Sequence, residues 1–389
     1  MAEGRGRRAA VVASIGALLL LAAVQASRRA APVETPSVRP HGGSESLTPP
    51  EFSKEHRQKR IPIIDVHVHL RADAVQRLHG LMDRYGFDHA VNLSGGHPRG
   101  DLPSQLRAAR ASGRVTTFTA LAYEQASEPG YGERMASVLR DAHARGARGL
   151  KIAKVLGLGL RDGRGRLIPV DDPGLDPVFE TAGELGMPIA IHAGDPKAFW
   201  LPIDEHNERH AELSAHPGWS QHGRDVPSFD AILDQLDRRV ARHPKTTFIS
   251  VHFGNCAEDL ERVASALRRY DNLYIDTAAR IPEIGRHPVE QLRAFFTEFQ
   301  DRILYGSDLG VGPEPHPLFL GSSGAEPSTA EEQERFFDAT RRFFETRDRG
   351  FEHPTPIQGD WRIDGIGLGR PILEKVYWKN AARLLNIAL

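Results

Sequence analysis

From Ile61 to the C-terminus the chain alternates short apolar runs with longer amphipathic stretches. The runs fall at Ile61–Leu70, Ala90–Leu93, Val115–Leu121, Gly149–Val155, Pro188–His192, Thr246–Phe253, Leu273–Asp276 and Arg302–Asp308. Each has the length and continuity of a parallel strand buried on both faces. Between them, Asp73–Tyr85, Tyr131–Arg145, Phe229–Arg242, Glu258–Tyr270 and Pro288–Gln300 carry apolar residues at helical spacing. Repeated strand–helix units of this kind predict an α/β protein, a (β/α)8 TIM barrel over residues 61–389. Ser328–Arg347 and Pro371–Ala388 are expected as closing helices. A doubly wound open sheet is the alternative. It wants a glycine-rich phosphate loop after its first strand, and here that place holds Asp65-Val66-His67-Val68-His69. Two connections, residues 157–172 and 195–228, are long for a compact barrel and are expected to lie over a substrate pocket.

The N-terminal stretch breaks this pattern. Arg5, Arg7 and Arg8 precede an apolar run from Ala9 to Val24, followed by Val24-Gln25-Ala26. That order predicts a signal peptide over residues 1–26 and an exported protein. The run is about 16 residues, short of the ~20 that span a bilayer core. An uncleaved membrane anchor stays open beside cleavage. Residues 27–60 hold five prolines with glycine and serine and no apolar period; they read as a disordered linker. The single cysteine, Cys256, excludes a disulfide within the chain. With 50 basic and 51 acidic residues, the chain has no long-range field to gather nucleic acid or anionic lipid. Oligomeric state is not legible.

In such a barrel the chemistry sits at the C-terminal ends of the strands. His67 and His69 end the first predicted strand, and their i, i+2 spacing puts both imidazoles on one face. His192, His252 and Asp308 end the fifth, sixth and eighth, and Lys151 lies late in the fourth. One buried histidine is usually a hydrogen-bonded core residue. Two side by side on an apolar strand are costly unless something binds them. Asp308 alone could be a helix cap. The coincidence of all five at matching strand ends points to a divalent metal centre.

Asp65-x-His67-x-His69, the histidines ending strands five and six, and Gly306-Ser307-Asp308 together resemble the amidohydrolase superfamily. The segment Leu373-Glu374-Lys375-Val376-Tyr377-Trp378-Lys379-Asn380-Ala381-Ala382-Arg383-Leu384-Leu385 is similar to the closing helix of its amidohydrolase-related branch. That branch contains hydrolases and aminocarboxymuconate-semialdehyde decarboxylase-like enzymes. The resemblance covers residues 61–389. It implies His67, His69 and His192 as metal ligands, with Asp308 as ligand or proton carrier. It implies that His252 polarises the scissile group or binds a second metal. Lys151 or Lys154 could be a lysine that bridges two metals after carboxylation, or Lys151 could be an ordinary lysine pairing with substrate or Asp308. One ion is favoured over two.

Zn²⁺ suits imidazole and carboxylate ligands, and Mn²⁺ or Fe²⁺ would tolerate the same set. The expected reaction is hydrolysis of an ester, lactone or amide in a small molecule. Asp308 would take a proton from water and deliver it to the leaving group, and His252 or the metal would stabilise the developing negative charge. The alternatives are a non-oxidative decarboxylase on the same ligands and a barrel that binds without turnover. Trp200, in the long 195–228 connection, is a candidate stacking surface. Arg280, soon after strand seven, is a candidate contact for an anionic substrate or else a surface salt bridge. His206 and His210 have metal-binding helical spacing, but a solvated polar face is the simpler reading.

Overall fold

The computed structural model describes residues 60–316, 318–321 and 328–389. The expected signal peptide and nearly all of the linker lie outside the described residues. No helix among the described residues is long and apolar enough to cross a membrane.

The strands run parallel around the molecule. They are β1 Ile64–Leu70, β2 His89–Asn92, β3 Val115–Thr117, β4 Thr119–Ala120, β5 Leu150–Ile152, β6 Ile189–Ile191, β7 Phe248–Ser250, β8 Leu273–Asp276, β9 Ile303–Leu304 and β10 Leu309–Val311. β10, β1, β2 and β3 pair in one sheet and β4 through β9 in another. Phe118 interrupts a single path between β3 and β4; its N–H donates to Asn92 O, and the N–H of Thr119 donates to Gly149 O. On the other side, Val66 N–H donates to Tyr305 O and Asp308 N–H to His67 O, carrying β1 onto the segment between β9 and β10. The two sheets are thereby the eight strand positions of a (β/α)8 fold.

Helices α1 Val75–Tyr85, α2 Leu102–Ser112, α3 Tyr131–Arg145, α4 Asp176–Glu184, α5 Phe229–Arg242, α6 Leu260–Arg269 and α7 Val289–Glu298 occupy the connections. Their apolar stripes turn inward: Val75, Leu78, Leu81 and Met82 on α1, Ile232, Leu233, Leu236 and Val240 on α5. α8, Ala330–Glu345, starts on a capping box in which Thr329 and Glu332 satisfy each other's backbone N–H groups. The C-terminal segment is helical over Arg370–Glu374 and Asn380–Leu385, with a π turn at Lys375–Lys379 between them. Ala381 and Leu385 pack with Ile64, Val66, Val91, Ala190, Ile249 and Leu304.

That core lies at one end of the strands, and the polar residues lie at the other. Register explains how β1 serves both. It shifts between Asp65 and Val68 relative to β2, the signature of a bulge. A bulge re-aims the residues after it. Ile64 and Val66 therefore join the apolar core, while His67 turns to the polar end three residues after Ile64. On the far side Lys151 aligns with Ala190, and Ala190 with Ile249, so Lys151 shares the face of that core.

Candidate metal centre

Five of the six non-glycine residues with positive φ among the described residues are His252, Phe253, Asn255, Ala279 and Asp308, all just beyond strand ends. Such conformations cost of order 1–3 kcal/mol each and persist where surrounding bonds fix them. Here the bonds are visible. Asp65 accepts the N–H of Ser307 at 3.0 Å, the Ser307 hydroxyl and the N–H of His67 at 3.1 Å, which ties β1 to the turn bearing Asp308. Burial pushes the Asp65 carboxyl up to about 7 against those hydrogen bonds.

Asp276 organises the histidines. One oxygen accepts from His67 Nδ1 at 2.8 Å; the other accepts the N–H of His252 at 2.7 Å and of Ala278 at 3.2 Å. Because the carboxylate only accepts, His67 donates from Nδ1 and keeps a lone pair at Nε2. Nδ1 of His252 meets Ala278 O at 2.9 Å, so this ring too carries its proton on Nδ1 and a lone pair on Nε2. Nδ1 of His69 hydrogen-bonds Ser94 Oγ at 2.7 Å. Outer hydrogen bonds of this kind fix the tautomer and orientation of metal-ligating histidines.

The inner atoms then converge. Asp308 Oδ1 lies 3.4 Å from His67 Nε2 and 3.2 Å from His69 Nε2. Ligand atoms of His67, His69 and Asp308 all lie within 4.8 Å of one another, as do those of His67, His252 and Asp276. Two donors of about 2.1 Å bond length, set tetrahedrally on one cation, are roughly 3.4 Å apart. His67 Nε2 is buried with no hydrogen-bond partner, and it faces a carboxylate oxygen across a distance that suits a shared cation. Burial, reinforced by Lys151, lowers the proton affinity of His67. Burial alone would push Asp308 up, but the imidazoles of His67, His69 and His252 hold it well below the usual carboxylate range. A lone pair and an anion held together out of water need a cation between them, so these residues fit a divalent metal.

His192 packs against His252, and its Nε2, like that of His67, is buried with no hydrogen-bond partner. Its ring lies 4.3 Å from that of His252, centroid to centroid, and its Nε2 is 3.7 Å from Asp195. Burial pushes it down to about 4. Asp195 in turn accepts from Lys154 Nζ at 2.7 and 2.9 Å and from Gln221 at 3.2 Å. Lys154 is therefore spoken for, and of the two lysines only Lys151 is buried at the centre. Its Nζ has no hydrogen-bond partner; burial lowers it to about 8 against the pull of Asp276 and Asp308.

The remaining sequence candidates separate. Trp200 is half-buried; its indole N–H donates to Pro227 O at 2.8 Å and its ring meets Phe229 edge-on. Arg280 is buried and lies near His252, which removes the surface salt bridge as an account of it. His206 and His210 are exposed and belong to no candidate metal group among the described residues. Sequence reasoning missed Asp276, Asp195 and Ser94. Asp276 carried one signal: it ends an apolar run, as His192 and Asp308 do.

A (β/α)8 barrel whose strand ends gather imidazoles and carboxylates defines a protein with its metal-binding groups at the barrel mouth. The chain belongs to the amidohydrolase family, whose model matches residues 64–387. Members of this family are enzymes, hydrolases and decarboxylases among them. Similar solved structures include a dihydroxybenzoic acid decarboxylase from a Polaromonas species with bound manganese and the inhibitor 2-nitroresorcinol, at 15% identity and TM-score 0.50, covering 85% of this chain and 98% of that one. Another is 2,6-dihydroxybenzoate decarboxylase from Rhizobium, at 17% identity and TM-score 0.47, covering 84% and 99%. A third is amidohydrolase 2 from Bifidobacterium longum subsp. infantis, at 16% identity and TM-score 0.46, covering 85% and 100%. At these identities the likeness is one of fold. No curated protein sequence matches the chain.

Proposed function

We propose that the protein is a divalent-metal-dependent hydrolase that cleaves an ester, lactone or amide bond of a small molecule, with Zn²⁺ as its ion. The observation that carries this is the approach of His67 Nε2 and His69 Nε2 to one Asp308 oxygen, with both Nδ1 atoms already engaged. His67, His69, His192 and Asp308 would hold the ion, with His252 beside it. Bound there, a divalent cation supplies Lewis acidity and brings water toward a pKa of ~7.

The chain's own residues supply the rest. Asp308, held ionised, accepts a proton from the attacking water and returns it to the leaving group. With its proton fixed on Nδ1, His252 offers a lone pair at Nε2. It therefore acts as a proton acceptor or ligand and not as a donor to a developing oxyanion. Lys151 is the buried cation close enough to Asp276 and Asp308 to stabilise that charge instead.

Stripping the purified protein with a chelator is expected to abolish hydrolysis of an ester and lactone panel, and Zn²⁺ to restore it. Asp308→Asn is expected to lower kcat by about 10²–10⁴-fold. Full activity in metal-free protein would sink the proposal. Release of CO₂ from hydroxybenzoates without any hydrolysis would replace it with decarboxylation on the same residues.

A further inference from the structure

The turn after β7 runs left-handed through four consecutive residues. His252, Phe253, Gly254 and Asn255 have φ of 55°, 56°, 74° and 57°. In an L-residue that conformation crowds Cβ against the following carbonyl, and a run of it persists only where the surroundings hold it. Asparagine is one of the residues that tolerate it, and here the asparagine side chain also does the holding. Asn255 is buried and reaches across to the neighbouring strand end. Its Oδ1 accepts the N–H of Ala193 at 3.0 Å and of Gly194 at 3.3 Å. Its Nδ2 donates to Ser250 Oγ at 2.9 Å and to Ile191 O at 3.4 Å. A side-chain amide has one carbonyl oxygen with two lone pairs and two N–H donors, so all four positions are filled.

Those bonds bracket His192. Ile191 stands before it and Ala193 and Gly194 after it, while its own N–H donates to Ile152 O at 3.0 Å. The backbone at His192 is thereby fixed by β5 on one side and by a single side chain on the other. That side chain starts from the turn His252 opens, and its bond to Ser250 ties it to the last residue of β7. The rings of His192 and His252 meet at 4.3 Å between centroids, and Nε2 of His192 has no hydrogen-bond partner. With that inner atom unheld by the protein, the backbone of the strand end sets where it sits.

We propose that Asn255 is a positioning residue for the metal centre, clamping the end of β6 to the turn after β7 so that His192 is set against His252 with Nε2 turned to the ion. The role rests on the metal-dependent reading above and adds to it the group that couples these two histidines. Outer hydrogen bonds of this kind act on the ion only through the ligand they orient.

The test is a cycle of Zn²⁺ affinities, read by competition with a fluorescent chelator. Asn255→Gly accepts φ 57° without strain and removes all four bonds. It is expected to weaken Zn²⁺ binding by about 10–100-fold. In a His192→Ala background, where the positioned ligand is already gone, the same substitution is expected to change affinity by less than about twofold. Asn255→Asp keeps the acceptor for Ala193 and Gly194 and loses the donors. Its expected loss is about tenfold and likewise vanishes in the His192→Ala background, which covers the case in which the glycine variant does not fold. On metal-free protein, the N–H groups of Ala193 and Gly194 are expected to exchange with solvent at least about tenfold faster in Asn255→Gly than in the wild type. Unchanged affinity, an equal loss with and without His192, or unchanged exchange at Ala193 and Gly194 would each overturn the assignment. A wild type that binds no Zn²⁺ defeats the metal-dependent reading and this role together. Failure of the Asn255 role alone leaves wild-type binding, and its loss in His192→Ala, in place.

Discussion

At the scale of single residues, Asp276 decides more than its position suggests. Its two oxygens accept three N–H groups: Nδ1 of His67 and the backbone of His252 and Ala278. Asparagine has one carbonyl oxygen and an NH₂ group that must point at a donor on one side or the other. Asp276→Asn therefore either turns His67 to the wrong tautomer or breaks the turn that holds His252. Loss of such an outer partner typically lowers metal affinity by about 10–100-fold. Competition against a fluorescent chelator measures this directly, and an affinity equal to wild type would show that Asp276 does not orient the site. The same logic explains why the residue was not singled out from the chain: its partner His67 lies 209 positions away, and only the assembled barrel brings them together.

At the scale of elements, the connection over residues 195–228 was expected to lie over the pocket, and its attachment is now explicit. It begins with Asp195 bonded to Lys154 and Gln221. It continues through Asn207, whose side-chain amide donates to Ala198 O and Pro202 O. Arg209 then pins it to Glu283, beyond β8, and to Glu212 in the short helix His210–Ala215. Arg209 is fully buried and Glu283 is 1% exposed. Removing one partner of such a set leaves uncompensated charge out of water, a cost of about 3–5 kcal/mol. Arg209→Met, which strands two carboxylates, is expected to lose that much in urea unfolding at neutral pH while the metal ligands are untouched. A change below about 1 kcal/mol would mean that the segment is not anchored there. Replacing Arg209, Glu212 and Glu283 together by apolar residues should recover only part of the loss, because Arg280 then stays buried without a neighbouring carboxylate.

At the scale of the whole molecule, much was legible because parallel strands buried on both faces read as continuous apolar runs, and α3 and α5 match the predicted helices residue for residue. Two things were not. The bulge in β1 changes which side chains share a face after Val66, and alternation alone cannot place it. The break at Phe118 is a matter of pairing between distant strands. Burial of polar groups across the barrel has a consequence for the molecule as a whole, read best on metal-free protein. Burial, aided by Arg114, pushes His89 down to about 4. His353 is likewise brought to about 4 by burial, with Arg209 adding to it against a bond to Gly359 O. In the unfolded chain both would titrate near ~6.5. A folded pKa below the unfolded one means the unfolded chain takes up protons first, so the contribution is intact above about 6.5 and is lost as pH falls toward 4. Each histidine is then worth on the order of 3 kcal/mol at neutral pH. The urea midpoint is expected to drop between pH 6.5 and 4, with His67, His192 and His252 adding to the fall in metal-free protein and the raised Asp65 carboxyl opposing it. Neither His89 nor His353 touches the proposed ligands, and His89 can be exchanged for glutamine, which keeps a polar group near Thr116 but cannot take up a proton. His89→Gln should remove one histidine's share of the acid limb while leaving stability above pH 7 within roughly 1 kcal/mol of wild type. A midpoint in the variant that falls with pH as steeply as in the wild type would show that acid acts elsewhere than on these buried rings.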